Sequence, residues 1–129
     1  MKKLTILLQI IGVIQIVLGA AYLFAPTVFI EWMKLSPTPP DANYAYGMLA
    51  SRFIAYGIGM FIIARNPIQN IFWIKNMILV QVIDLAVGIF YTARGVLSLS
   101  SSAFPMFDAI LFAVLLFLWM PKQVGNDTK

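Results

Sequence analysis

Four long apolar segments constrain this chain more than any other feature of its sequence. Each has the roughly 20 residues that a helix needs to cross the hydrocarbon core of a bilayer. They cover about residues 4–25, 44–64, 70–92 and 104–120. Only 11% of the 129 residues are charged, whereas an ordinary soluble domain carries about 25%. The sequence therefore predicts an all-α membrane protein, a single domain over residues 1–129 that folds as a four-transmembrane-helix bundle.

The connections between the segments carry their own signals. The apolar residues of 27–35 share one helical face, which predicts a short helix lying in the membrane interface. The prolines of 36–41 then exclude a helix. Pro67 ends the second span and leaves a very short turn, so spans two and three are expected to form an antiparallel hairpin. Gly19-Ala20-Ala21 resembles a signal-peptidase site, which makes a cleaved leader the alternative to a retained first span.

The basic residues predict the orientation of the bundle. An even number of spans places both termini on one side. Six basic residues fall on that side and two on the other: Lys2, Lys3, Arg65, Lys75, Lys122 and Lys129 against Lys34 and Arg94. Because Lys and Arg concentrate in cytoplasmic loops, the N- and C-termini are expected to be cytoplasmic. Scattered charges of this kind do not predict nucleic-acid binding.

The composition excludes much enzyme chemistry. The chain has neither Cys nor His, so disulfides, thiolate metal sites and the commonest general base are absent. The sequence also lacks a P-loop, a dinucleotide-binding loop and a nucleophile paired with a base. No catalytic residue, metal site or cofactor is therefore expected from the sequence.

Arg52 and Asp84 are the two charges that lie deep inside the predicted spans. Each lies eight residues from the outer end of its span, or about 12 Å at 1.5 Å per residue. Matched depth across a hairpin predicts a buried ion pair. Such a pair has two interpretations: it fixes the register of two helices, or it belongs to a ligand or proton site.

Other polar and small residues extend this picture. Gln81 lies one turn from Asp84, and Gln15 repeats with glycines along the first span. With Tyr56 they complete the set of candidate ligand-binding residues. A second set is expected to mediate close helix packing: Gly47, Ser51, Ala55 and Gly59 at four-residue spacing in span two, with Gly12, Gly19 and Gly88 elsewhere. The row in span two is equally suited to a homo-oligomer contact.

Asp108 is expected in the first turn of span four, where the helix dipole favours a carboxylate. The sequence thus assigns it a capping role rather than a place in the site. Lys75 is expected to extend to the nearer interface.

Arg52, Gly57, the run Ala64-Arg65-Asn66-Pro67 and Asp84 together resemble the DoxX-like superfamily of small bacterial four-span membrane proteins, and the BphX-like branch in particular. The resemblance implies a four-helix bundle in the bacterial cytoplasmic (inner) membrane, with Arg52 and Asp84 as its buried polar pair. DoxX-like members are linked to quinone-coupled sulfur oxidation, and BphX-like members are encoded near aromatic-degradation enzymes. The chain lacks a counterpart of a catalytic cysteine or a metal site, which argues against a redox role.

Three functions follow as hypotheses. The first is an accessory or binding protein that holds a lipid, a quinone or another small apolar molecule inside the bundle, near Arg52, Asp84 and Gln81. The second is a proton-coupled small-molecule transporter in which Asp84 carries the proton. The third is a membrane subunit of a quinone-linked oxidoreductase. The first predicts a space between the helices in the outer half of the bundle.

Overall fold

The computed structural model describes residues 2–122, and every regular element in that range is helical. The helices are α1 (Lys2–Phe24), α2 (Pro26–Trp32), α3 (Ala42–Arg65), a 3₁₀ helix (Pro67–Asn70), α4 (Ile71–Ala93) and α5 (Leu99–Trp119). Within this range α1, α3, the 3₁₀ helix continued by α4, and α5 are each long and apolar enough to cross a membrane. The prediction of an all-helical chain with four candidate spans is confirmed.

The turn between α3 and α4 is as short as the sequence predicts. Asn66 leaves the helical conformation, with φ of −150°, and its Oδ1 accepts a hydrogen bond from the Gln69 N–H at 3.4 Å. The Asn70 side chain donates to the Asn66 carbonyl at 2.8 Å. Pro67 opens the 3₁₀ helix, where its missing N–H costs nothing. The chain reverses here without leaving the end of the bundle.

Helix α5 begins five residues earlier than predicted, at Leu99 instead of residue 104. Residues 93–103 separate the third and fourth predicted spans, which predicts a loop for the serine run Ser98 to Ser102. In the structure the serine hydroxyls find partners around the first turn of α5. Ser98 Oγ lies 2.9 Å from Ser100 Oγ and 3.2 Å from Ser101 Oγ. Ser102 Oγ donates to the Ser98 carbonyl at 3.2 Å. Because these groups satisfy one another, the helix accommodates them, and Pro105 lies inside α5.

Helices α1 and α3 are antiparallel and touch backbone to backbone. A Cβ atom added at Gly57 would lie 2.8 Å from the Gly12 carbonyl oxygen, and one added at Gly12 would lie 2.9 Å from the Gly57 oxygen. Farther along, a Cβ at Gly19 would lie 3.0 Å from the Ala50 oxygen. At these distances only a hydrogen atom fits between the helices. The contact therefore uses the face of α3 that carries Ala50 and Gly57.

The row of small residues predicted to pack span two lies on a different face of α3. A Cβ at Gly47 or at Gly59 would meet no atom within 4 Å, and Ser51 and Ala55 are exposed. Within the described chain this row is therefore not the packing contact, and the sequence-based assignment is corrected to Ala50 and Gly57. Four-residue spacing identifies a face of a helix, but it does not say which face meets a neighbour. Gly12 and Gly19, in contrast, lie in the α1–α3 contact.

Helices α4 and α5 form a second antiparallel pair. A Cβ at Gly88 would lie 2.7 Å from the Met106 side chain, so this glycine provides the close approach. Thr92 Oγ1 donates to Ser102 Oγ at 2.7 Å near the connecting loop. Helices α3 and α4, although adjacent in the chain, do not pack closely along their length. The bundle is thus an α1–α3 pair joined to an α4–α5 pair.

The two pairs meet in one half of the bundle only. We call this the terminal half, because it contains the start of α1, the end of α5 and the α3–α4 turn; the opposite loop half contains α2 and the α4–α5 connection. The hydrophobic core joins all four long helices in the terminal half. Its residues are Leu4, Leu7, Leu8, Ile11, Met60, Ile63, Ala64, Ile74, Met77, Phe112 and Leu116.

Helix α2 covers the end of the loop half. It occupies Pro26–Trp32, slightly shorter than the predicted 27–35, and the chain turns away at Lys34, whose φ is +62°. Tyr22 of α1 connects it to α3 through aromatic contacts. The Tyr22 ring meets Phe29 edge-on at 4.8 Å and stacks with Tyr46 and Phe53 at 5.6 and 5.9 Å between centroids.

The contact between α1 and α3 generates a stability prediction. We expect Gly57→Ala to lower the free energy of unfolding by about 1–3 kcal/mol, because its methyl group meets backbone atoms that cannot move aside. Gly59→Ala, two residues along the same helix, is the matched control. Its methyl group enters open space, so its effect should stay within about 0.5 kcal/mol.

The measurement is equilibrium unfolding in mixed micelles with increasing sodium dodecyl sulfate, followed by circular dichroism. Equal losses for the two variants would contradict the proposed contact.

Candidate ligand cavity

A cavity of about 410 Å³ lies between the two helix pairs in the loop half. The pairs diverge there, and each of the four long helices contributes to the wall. Most of the lining is apolar and includes Ile11, Ile14, Leu18, Phe53, Val87 and Phe112. We call it the central cavity. It lies on the same side of the bundle as the space that the ligand-binding hypothesis predicts.

Two glutamines place their amides at this cavity. Gln15 of α1 and Gln81 of α4 are 6% and 4% exposed and both line the wall. Gln81 Nε2 lies 3.4 Å from the Met77 sulfur. No hydrogen bond joins the Gln15 amide to another group of residues 2–122, yet no fully enclosed side-chain nitrogen or oxygen in that range lacks a partner. The Gln15 amide is therefore reached from the cavity, where it offers both a donor and an acceptor.

Two carboxylates also line the central cavity. Asp84 lies nine residues before the end of α4, and Asp108 lies nine residues after the start of α5. At 1.5 Å per residue each is about 14 Å from the loop end of its helix. Asp84 is exposed and Asp108 is half-buried. None of the described residues on this wall is Lys or Arg, so the two carboxyls have no basic counterpart on it.

Asp108 is the site residue that the sequence analysis missed. The serine run was interpreted as a loop, which placed Asp108 in the first turn of span four. With α5 starting at Leu99, the residue lies in the third turn instead. A signal was present: Ser98 precedes the apolar segment as a helix N-cap residue commonly does. Counted from there, Asp108 falls at the same depth as Asp84.

Pro105 adds a further polar group beside Asp108. Proline has no N–H, so the carbonyl of Ser101, four residues earlier, loses the donor that an α-helix normally provides. Ser101 and Pro105 both line the central cavity.

A second cavity of about 560 Å³ adjoins the first between α1, α2 and α5. The two share several lining residues: Ile14, Leu18, Phe29, Met33, Ser101, Pro105 and Asp108. Trp32 and Phe104, which line the second cavity, are each 73% exposed. This side groove therefore opens at the protein surface between α1 and α5. Lys34 lies among its lining residues, near α2.

The structure does not bring Arg52 and Asp84 together as an ion pair. The Arg52 guanidinium donates to the Met48 carbonyl at 2.9 Å and lies 3.5 Å from Ser51 Oγ, both in its own helix. The residues have matched depth, but depth was the wrong criterion. Side chains lean toward the N-terminus of their own helix, and α3 and α4 are antiparallel. Arg52 therefore leans toward the loop end and Asp84 toward the terminal half.

Tyr56 also lies apart from the central cavity. Its hydroxyl accepts a hydrogen bond from Asn76 Nδ2 at 3.1 Å, and its ring packs against the core of the terminal half. Of the five candidate binding residues from the sequence, the structure thus gathers Gln15, Gln81 and Asp84 around one space. Arg52 and Tyr56 lie on α3 outside the lining of that space.

Comparisons of this chain with protein families, with curated proteins and with solved structures found no match.

The separation of Arg52 from Asp84 generates a second prediction. In a double-mutant cycle of Arg52→Leu and Asp84→Leu, we expect the unfolding free energies to add within about 0.5 kcal/mol, as they do for residues without shared partners. Breaking one side of a buried ion pair would cost about 3–5 kcal/mol and would give strong coupling.

The Tyr56→Phe and Asn76→Ala cycle serves as the comparison, since these side chains are hydrogen-bonded. Polar contacts between membrane helices couple by about 0.6 kcal/mol on average. Coupling of about 2 kcal/mol or more for Arg52 and Asp84, well above the average for polar contacts between membrane helices, would contradict the separation of these two side chains.

Proposed function

We propose that this chain is an integral membrane protein that binds a small apolar or amphipathic molecule, such as a lipid or a quinone, inside its bundle. It acts as a binding or accessory protein and does not need catalytic residues of its own for that role. The orientation and location belong to the same proposal. The excess of Lys and Arg at the terminal half favours termini in the cytoplasm, and the resemblance to DoxX-like proteins favours the bacterial inner membrane.

The central cavity is the observation that supports this proposal. Ligand pockets typically measure about 300–1,000 Å³ and combine apolar walls with a few converging polar groups. The central cavity, at about 410 Å³, has that size and that lining. The side groove supplies a route from the bilayer, because an apolar ligand dissolved in lipid reaches the groove without crossing water.

A ligand-binding test uses Trp32 as a reporter, since it lines the side groove. In a background with Trp73→Phe and Trp119→Phe, we expect a short-chain ubiquinone analogue to quench the remaining tryptophan fluorescence in a saturable manner. Leu18→Phe adds bulk at a residue that lines both cavities and should weaken the apparent affinity about tenfold, or about 1.4 kcal/mol.

Val17→Phe is the matched control, because Val17 is the neighbouring residue and is 60% exposed. It should leave the affinity unchanged. Quenching that rises linearly without saturation, and equally in both variants, would reject a ligand site in the bundle.

A proton-coupled transporter is the second candidate, and the two carboxylates on the cavity wall favour it. Intramembrane Asp residues often carry protons in pumps and transporters. If this function is correct, wild-type protein in liposomes that contain a trapped pH-sensitive dye should move protons when ethidium is added. Asp84→Asn should abolish that signal, while Glu31→Gln, an acid on α2 outside both cavities, should retain it. Unchanged proton movement in Asp84→Asn would exclude this candidate.

A further inference from the structure

We infer that the central cavity selects a lipophilic cation, with an apolar body between the two helix pairs and a positive group beside Asp84 and Asp108. This inference rests on the proposed function and narrows its ligand class. It distinguishes among the ligands considered above, because quinones and uncharged lipids lack the positive group that the carboxylates of the cavity wall would bind.

The charge distribution on the wall is the first step. Asp84 and Asp108 come from adjacent helices at the same distance from the loop end and line one space. Ionised carboxylates at such depth cost several kcal/mol unless they are paired or hydrated. Arg52 of α3, which lies at a similar depth, is hydrogen-bonded within its own helix. Lys34 lies on the wall of the side groove and not on that of the central cavity.

The buried glutamines are an independent indication of a ligand. A polar side chain that is at least nine-tenths buried normally has hydrogen-bond partners, because leaving its polar group without them costs free energy. The Gln15 residue is 6% exposed and lines the central cavity. Its amide has no hydrogen-bond partner among residues 2–122, and it keeps access to the cavity, since no fully enclosed side-chain nitrogen or oxygen in that range lacks a partner. A bound polar group or water completes its hydrogen bonds.

The polar groups of the wall include several acceptors and no cationic donor. Besides the two carboxylates, the Ser101 carbonyl lacks its helix donor because of Pro105, and the Gln81 amide directs its nitrogen to the Met77 sulfur, which leaves its oxygen as the free group. A wall rich in acceptors and poor in cationic donors complements a positively charged ligand. The shared lining at Asp108 also joins this region to the open side groove.

The experiment compares two probes of similar shape and different charge, tetraphenylphosphonium and the neutral triphenylphosphine oxide. Binding is measured by isothermal titration calorimetry in an uncharged detergent. We expect the wild-type protein to bind the phosphonium at least about tenfold more tightly than the oxide, since one carboxylate near a cation contributes more than 1.4 kcal/mol at low effective dielectric. Asp84→Asn and Asp108→Asn should each lower phosphonium affinity by about the same factor.

Glu31→Gln is the charge-matched control, since it removes one negative charge from α2 outside both cavities. It should leave phosphonium affinity unchanged, and circular dichroism checks that each variant remains folded. If the phosphonium and the oxide bind with equal affinity, or if the three variants change phosphonium affinity equally, the inference of cation selection is wrong. In that case saturable quinone quenching with the Leu18→Phe effect would still support the proposed function. Loss of both results would reject the site altogether.

Discussion

The direct backbone contact between α1 and α3 is the constraint on which the rest of the bundle depends. In lipid, apolar side chains gain little by meeting one another, so helices associate where small residues allow close van der Waals contact. Gly12 and Gly57 provide that contact. A Cβ atom added to either glycine would lie within 3 Å of the carbonyl oxygen of the other. Because α3 pairs with α1, it is not packed along α4, and α4 pairs with α5 through Gly88 instead. This pairing leaves a seam between the α1–α3 pair and the α4–α5 pair.

The side chains along that seam explain why it closes in one half and opens in the other. In the terminal half the inward residues are large and apolar, such as Leu8, Met60 and Phe112, and they fill the space. In the loop half short or polar residues such as Gln15, Gly88 and Asp108 stand among the larger apolar ones. Short side chains do not reach across, and polar ones do not pack into a dry core without partners. The cavity is thus a consequence of composition at specific helical positions.

The sequence predicted the features of this fold that depend only on position along the chain. Segment lengths, proline positions and the Asn66-Pro67 stop gave the four spans within a few residues, except at α5. What failed depends on direction around or along a helix. The row from Gly47 to Gly59 is regular but lies on the exposed face of α3. Arg52 and Asp84 have equal depth, but their side chains lean in opposite directions. Hydrogen bonds among the serines allow α5 to start at Leu99. The depth of Asp108 was therefore predicted wrongly from the sequence.

The two proposed roles of the cavity share the same groups, and this has a thermodynamic consequence. A carboxylate of Asp84 or Asp108 that holds a proton loses the charge that attracts a cation, so protons and cationic ligands compete for one wall. Competition at a shared site is reciprocal. The factor by which proton binding lowers the affinity for the ligand equals the factor by which ligand binding lowers the affinity for the proton. If both proposals hold, a cation that enters through the side groove would displace a proton bound at Asp84 or Asp108. Binding and transport then differ only in whether the bundle also opens to the opposite side of the membrane.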